Sequence, residues 1–242
     1  MSGTRKLVIA IDGPAGAGKS TIASRIARQL GYVNLESGAM YRALALKAIE
    51  SDVGFDDEAG LVRLAENSHI DLEPTFDGNR VLLDGQNVSQ RIRDRDVTEA
   101  ASKVSVHPRV REWMVARQRA MGAGGGIVME GRDIGTKVFP QADVKVFLDA
   151  DPSVRGDRRY RQQGNEHDAK KAAALVAELR ERDHRDRTRA TSPLVAAEDA
   201  LVIDSTQLSI EEVLDRVDTA VKAAQQKREA GGGRQEAGTA DS

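Results

Sequence analysis

Along the chain, short runs of apolar residues alternate with stretches in which apolar positions recur every three or four residues. The runs are Leu7–Ile11, Tyr32–Leu35, Ile127–Glu130, Val144–Leu148 and Leu201–Ile203. Near-continuous apolar runs of this length suit strands buried on both faces. The helical spacing occupies Lys19–Leu30, Ser37–Ser51, Asp57–Ser68, Pro108–Ala123, Ser153–Gln163, Asp168–Arg187 and Ile210–Gln226. In the first of these, Ile22, Ala23, Ile26, Ala27 and Leu30 make one apolar stripe. Strands alternating with helices predict crossover connections and a five-stranded parallel sheet covered on both faces, a three-layer α/β/α fold. Ligands of such sheets bind beyond the carboxyl ends of the strands, so the polar residues there are the candidates for chemistry.

One region breaks the alternation. Between His69 and Val88, the β-like pieces Ile70–Glu73, Arg80–Leu83 and Gln86–Val88 are separated by Asp77-Gly78-Asn79 and Asp84-Gly85, both hairpin-turn signals. They predict a small antiparallel insertion that continues through a polar helix, about residues 69–106 in all. Residues 1–226 then form a single domain. Lys227 to Ser242, rich in Gly, Glu and Ala without periodicity, are expected to be a disordered tail.

The first strand leads into Gly13-Pro14-Ala15-Gly16-Ala17-Gly18-Lys19-Ser20-Thr21, which fits G-x-x-x-x-G-K-[ST] at every fixed position. Small residues between a strand and a helix N-terminus let backbone N–H groups close on a polyphosphate, whose charge the helix's positive end also favours. Lys19 would reach the β- and γ-phosphates and the Ser20 hydroxyl would ligate Mg²⁺. The loop therefore predicts a nucleoside triphosphate and leaves the phosphate acceptor open.

Composition narrows the classes. Thirty-six Lys and Arg face 38 Asp and Glu for a formal net charge of −2, and aromatics are only 3%. That combination gives neither a polycation nor a stacking surface, so no nucleic-acid partner is expected. The chain has no cysteine, which removes disulfides and thiolate metal sites and fits a reducing compartment. No apolar run approaches membrane-spanning length and no signal peptide is legible, so a cytoplasmic protein without a membrane partner is expected. The four histidines, His69, His107, His167 and His184, show no ligand spacing.

Charge is nevertheless concentrated locally. Arg42 follows the second strand and Arg132 the third, and the planar guanidinium suits bidentate binding of an acceptor phosphate. In Arg180–Arg189, residues Arg182, Arg185 and Arg189 share one helical face with Asp186. Arg155, Arg158 and Arg159 cluster after the fourth strand. Rows of like charge concentrate anionic ligands.

The phosphate loop with Asp12 before it, Ser37-Gly38-Ala39-Met40-Tyr41-Arg42, Ala101-Ser102, Pro108–Glu112, Gly131–Thr136, Val138-Phe139-Pro140, Phe147–Ala150, Glu181-Arg182-Asp183 and Arg185-Asp186-Arg187 together resemble bacterial cytidylate kinases, over nearly residues 5–225. The resemblance implies transfer of the ATP γ-phosphoryl group to CMP or dCMP with Mg²⁺. It implies a P-loop kinase fold with a lid over about 153–190, and a monomer is expected. Carried over, Ser37, Arg42, Ser102, Arg111, Arg132, Asp133, Arg182, Asp186 and Arg189 form the CMP site. Ser102, Arg111, Arg132 and Asp133 resemble the residues around the base, Ser37 and Arg42 those on the phosphate side, and Asp186 the sugar ligand. Arg182 and Arg189 lie beside the phosphates, so Lys19, Arg132, Arg182 and Arg189 are the expected catalytic cations. Arg155, Arg158 and Arg159 would belong to the lid over ATP. Glu130 and Asp149 receive no settled role.

Two other classes share some of these features. Another small-molecule kinase would keep the loop but lack Ser102, Arg111 and Asp133 at these spacings. A GTP-dependent switch would carry Asn-Lys-x-Asp, which the chain lacks.

Overall fold

A computed structural model of the chain describes residues 6–75, 78–162 and 169–232. Its centre is a parallel sheet in the order β2 (Val33–Glu36), β6 (Ile127–Gly131), β1 (Val8–Asp12), β7 (Val144–Asp149), β8 (Leu201–Asp204). All five residues of β1 are buried, because both of its faces are covered. Ile9 and Ile11 join Val144, Val146 and Leu148 against α1 (Lys19–Leu30) and α8 (Ile210–Gly232). Val8 and Ala10 point the opposite way, into a cluster with Leu35, Ile127 and Met129 that packs on α5 (Pro108–Gly122). The apolar runs are thus continuous because the strand's two-residue alternation meets a core on either side.

The predicted insertion is an antiparallel sheet of β3 (Ile70–Thr75), β4 (Gly78–Leu83) and β5 (Gln86–Asn87). Asp84 (φ 49°) and Gly85 (φ 81°) make the second turn with two positive φ values, as a tight hairpin requires. The first turn differs in placement: Gly78 and Asn79 already belong to β4, and Asp77 lies outside the described residues. Asn79 docks the insertion on the edge strand β2. Its amide donates to Asn34 O (2.7 Å) and its carbonyl accepts from Glu36 N (3.0 Å), so a side chain occupies the bonds a further strand would make. A 3₁₀ turn (Arg91–Arg93) leads to α4 (Arg95–Val104), which packs Val97, Ala101 and Val104 on Met40 and Leu44 of α2 (Ser37–Glu50). Between these lie α3 (Glu58–Glu66) and, following β7, the pair α6 (Pro152–Gln162) and α7 (Ala169–Thr188).

One boundary is corrected. Helix α8 does not stop at Gln226 but runs to Gly232, so residues 227–232 of the expected tail are helical; 233–242 lie outside the described residues. Arg228 explains part of the extension, since it pairs with Asp143 (2.5 Å) and so ties the last turns to the loop before β7.

Candidate active site

Gly13, Gly16 and Gly18 all have positive φ (147°, 78° and 95°), and a Cβ on Gly13 would lie 1.9 Å from Leu148 O. Only glycine lets the loop leave β1 hard against β7 and still present its amides to the start of α1. Lys19 is buried and its Nζ donates to Pro14 O at 2.7 Å. Burial, with Arg132 as the next contributor, pulls its pKa down to about 7. Glu130, at the end of β6, is pushed up to about 7, first by burial and then by the charge of Glu36, while the Ser20 hydroxyl bonds its carboxylate. Glu130 Oε1 has no hydrogen-bond partner although it is buried.

The acceptor-side residues of the sequence reading come from four separate segments. At the β2–α2 junction, Ser37 Oγ donates to Glu130 O (2.7 Å) and Arg42 pairs with Glu36 (2.5 Å). Just past β6, Arg132 Nε donates to Asp186 Oδ2 (2.9 Å), and Arg189 lies 3.6 Å from the other oxygen of the same carboxylate. Burial alone would raise Asp186's pKa, but Arg132, Arg182 and Arg189 override it and hold the group below the usual carboxylate range. Arg182 is drawn down to about 9 by burial, with Arg132 adding repulsion. Farther in, Arg111 donates to Asp133 (2.5 Å) and to Ser105 O (3.0 Å), with its guanidinium over the Tyr41 ring at 5.5 Å. Both members of this pair are buried. Burial raises the Tyr41 hydroxyl to about 12.

Several of these groups keep unpartnered buried atoms: Ser102 Oγ, Arg42 Nε, Arg182 Nε and Arg189 Nη2. Ser102 and Arg182 line one cleft, and unmet buried donors at this density point to a ligand with several acceptors. The cleft itself measures about 620 Å³ between α4 and α7, with Ser102 and Lys103 on one wall and Arg182 and Arg185 on the other. Arg95 bridges its rim to Glu178 (2.5 Å).

The three arginines expected in a lid part company. Arg159 borders the cleft. Arg158 instead donates to the hydroxyl (3.0 Å) and carbonyl (2.6 Å) of Ser205, closing the loop after β8. Arg155 is 2% exposed and fully engaged: Nε donates to Ala150 O (2.8 Å), Nη1 to Ala15 O of the phosphate loop (2.9 Å) and Nη2 to Asp183 (2.5 Å). With three fixed acceptors, one of them on the phosphate loop, this guanidinium acts as a brace between α6, the loop and Asp183 in this structure. Asp149 pairs with Arg187 (3.0 Å) and accepts from Ala150 N, which gives it a structural role.

The sequence reading did not single out Asp183, whose partner lies 28 residues away, nor the function of Asp12 at the end of β1. Asp12 accepts from Ile134 N (2.8 Å) and Gly135 N (2.7 Å), and burial lifts its pKa to about 6.

The profile of the family described as "Cytidylate kinase" matches residues 9–223. The chain is 49% identical to the cytidylate kinase of Aeromonas salmonicida over 210 residues, covering 87% of this chain and 91% of that protein. With the cytidylate kinase of Geobacillus kaustophilus it shares 49% over 216 residues, 88% of this chain and 95% of that one. Glycine-rich loop, guanidinium row and buried Arg111–Asp133 pair all fall within the matched span, and the chain belongs to the cytidylate kinase family.

Proposed function

We propose that this protein transfers the γ-phosphoryl group of ATP to CMP or dCMP, yielding ADP and the pyrimidine nucleoside diphosphate. The observation that carries this reading is the buried Arg111–Asp133 pair set behind the guanidiniums that share Asp186. Cytosine offers an exocyclic amino donor beside ring acceptors, so its recognition calls for both a carboxylate and donors. Asp133 supplies the first; Arg111 and the unpartnered Ser102 hydroxyl supply the second. Uracil, with an acceptor in place of the amino group, would leave Asp133 unmatched.

In the same reading Arg42 and Ser37 hold the acceptor phosphate, Asp186 the sugar, and Arg132, Arg182 and Arg189 the charge that spreads over the transferring group. Phosphoryl transfer asks mainly for alignment and positive charge, which suits a site with no dedicated nucleophile. The loop from Gly13 to Thr21 would hold the ATP phosphates, with Lys19 on the transferring end and Arg159 closing from α6. The residues fit Mg²⁺: the Ser20 hydroxyl is a hard oxygen donor, and Glu130, whose carboxylate bonds that hydroxyl and keeps one buried oxygen unpartnered, would hold the ion through its water. When bound, the ion would supply positive charge that neutralises the phosphate oxygens.

The test is coupled ADP release with CMP, dCMP, UMP, AMP and GMP as acceptors. Turnover should be highest with the two cytidine nucleotides. Highest activity on AMP or GMP with CMP inert would overturn the assignment.

A further inference from the structure

Asp133 stands immediately before a single wide helical turn, Ile134–Val138, at the position where an aspartate ordinarily caps the first free N–H groups with its own carboxylate. It does not do so here: its side chain makes no cap bond and is turned to Arg111 instead. The first two N–H groups of the turn, Ile134 N and Gly135 N, are both taken by Asp12, more than 120 residues away in sequence, and Gly135 N is a donor that an N-cap carboxylate ordinarily takes. Asp12 is the last residue of β1, paired with Gly131 across the sheet, and the next residue is the first glycine of the phosphate loop.

From this exchange of caps we infer that Asp12 is a positioning residue for acceptor recognition: by capping the Ile134–Val138 turn from β1 it keeps the Asp133 carboxylate turned toward Arg111 and the base. Without Asp12 the turn has two buried donors to satisfy, and the Asp133 carboxylate stands at the N-cap position from which Gly135 N can be reached. Rotation of that group to cap its own turn breaks the Arg111 pair and removes the acceptor that reads the cytosine amino group. The inference rests on the assignment of Asp133 to the base, and the experiment separates the two.

Steady-state KM values for CMP and ATP are measured for the wild type, D12N, D12A, D133A and D12A/D133A, each checked by thermal unfolding. D12A should raise KM for CMP about tenfold, the effect of losing a charge-assisted hydrogen bond, while ATP KM stays within about twofold. D12N keeps one acceptor oxygen and should fall between wild type and D12A. The CMP-over-UMP preference should shrink in parallel. If Asp12 acts through Asp133, adding D12A to D133A should change CMP KM by less than about twofold, since interacting positions are not additive. An equal multiplicative effect in both backgrounds, or parallel rises in CMP and ATP KM, would overturn the inference and leave the Asp133 assignment standing. No effect of D133A on CMP would overturn both. Should D133A not fold, D133N serves in the same cycle.

Discussion

Replacing Arg155 by methionine separates two accounts of the lid. The guanidinium makes three hydrogen bonds at 2.5–2.9 Å and is 2% exposed, while its partner Asp183 is 7% exposed. Arg155→Met keeps most of the apolar volume but leaves a buried carboxylate without its counter-charge and two buried carbonyls without donors. Breaking one side of such a pair costs about 3–5 kcal/mol, mostly the penalty of the orphaned charge. For a chain of this size each kcal/mol moves Tm by about 2–4 °C, so the loss should be roughly 6–20 °C. Adding Asp183→Asn removes the orphaned charge and should restore about half of the loss. The measurement is thermal unfolding of the full chain, alongside KM for ATP. A solvent-facing lid arginine would behave differently, with stability changed by no more than about 0.5 kcal/mol and ATP affinity alone reduced. A Tm within about 2 °C of wild type together with a large rise in ATP KM would therefore refute the brace and reinstate Arg155 as an ATP ligand.

Further outcomes are expected elsewhere in the site. Lys19→Ala should lower kcat about 100- to 1,000-fold, as loss of a preorganised cation does, with Tm unchanged or higher because burial already disfavours the charged amine; unchanged kcat would contradict the phosphate-cradle role. Asp133→Asn should raise KM for CMP about 10- to 100-fold with little change for ATP, and equal losses for both nucleotides would mean that the pockets are misassigned. Glu130 sets a pH dependence: its folded pKa of about 7 lies above the ordinary 4.5, so its contribution to stability is full below pH 4.5 and is lost as pH rises through 7. The Tm difference between wild type and Glu130→Gln should accordingly fall across that window, and parallel curves for the two proteins would show that the carboxyl does not titrate there.

How much of this was legible in the sequence follows from the range of the forces involved. The five parallel strands and the phosphate loop read correctly because burial on both faces writes itself as an unbroken apolar run and positive φ writes itself as glycine. The turn at Asp84-Gly85 was legible for the same reason. Helix ends were read to within a residue or two for α6 and α7, but α8 overran its predicted end because Arg228 finds Asp143, a tertiary partner with no local signature. The wide turn Ile134–Val138 was invisible: it has no apolar period and its cap comes from β1. Arginine's role was hardest to read. Nothing local distinguishes Arg155, which is buried against Asp183, from Arg159, which borders the cleft.

The site is built so that its cations oppose one another. Lys19 and Arg182 both lose proton affinity to burial and to Arg132. The nearby anions, Glu130 and Asp186, do not settle the imbalance: Glu130 is held toward its neutral form by burial and Glu36, and Asp186 is shared by Arg132 and Arg189. Such an arrangement opposes folding stability, and it persists in a large protein because aliphatic packing on both faces of the sheet offsets the cost. Under the proposed function its consequence would be selectivity for polyanions arriving as a pair. A single phosphate satisfies only the groups on its own side, whereas donor and acceptor phosphates together neutralise the guanidiniums at the point where charge develops during transfer. In the proposed reaction, repulsion among Lys19, Arg132 and Arg182 would be relieved most fully in the transition state, which would give their lowered proton affinity and the acceleration one electrostatic origin.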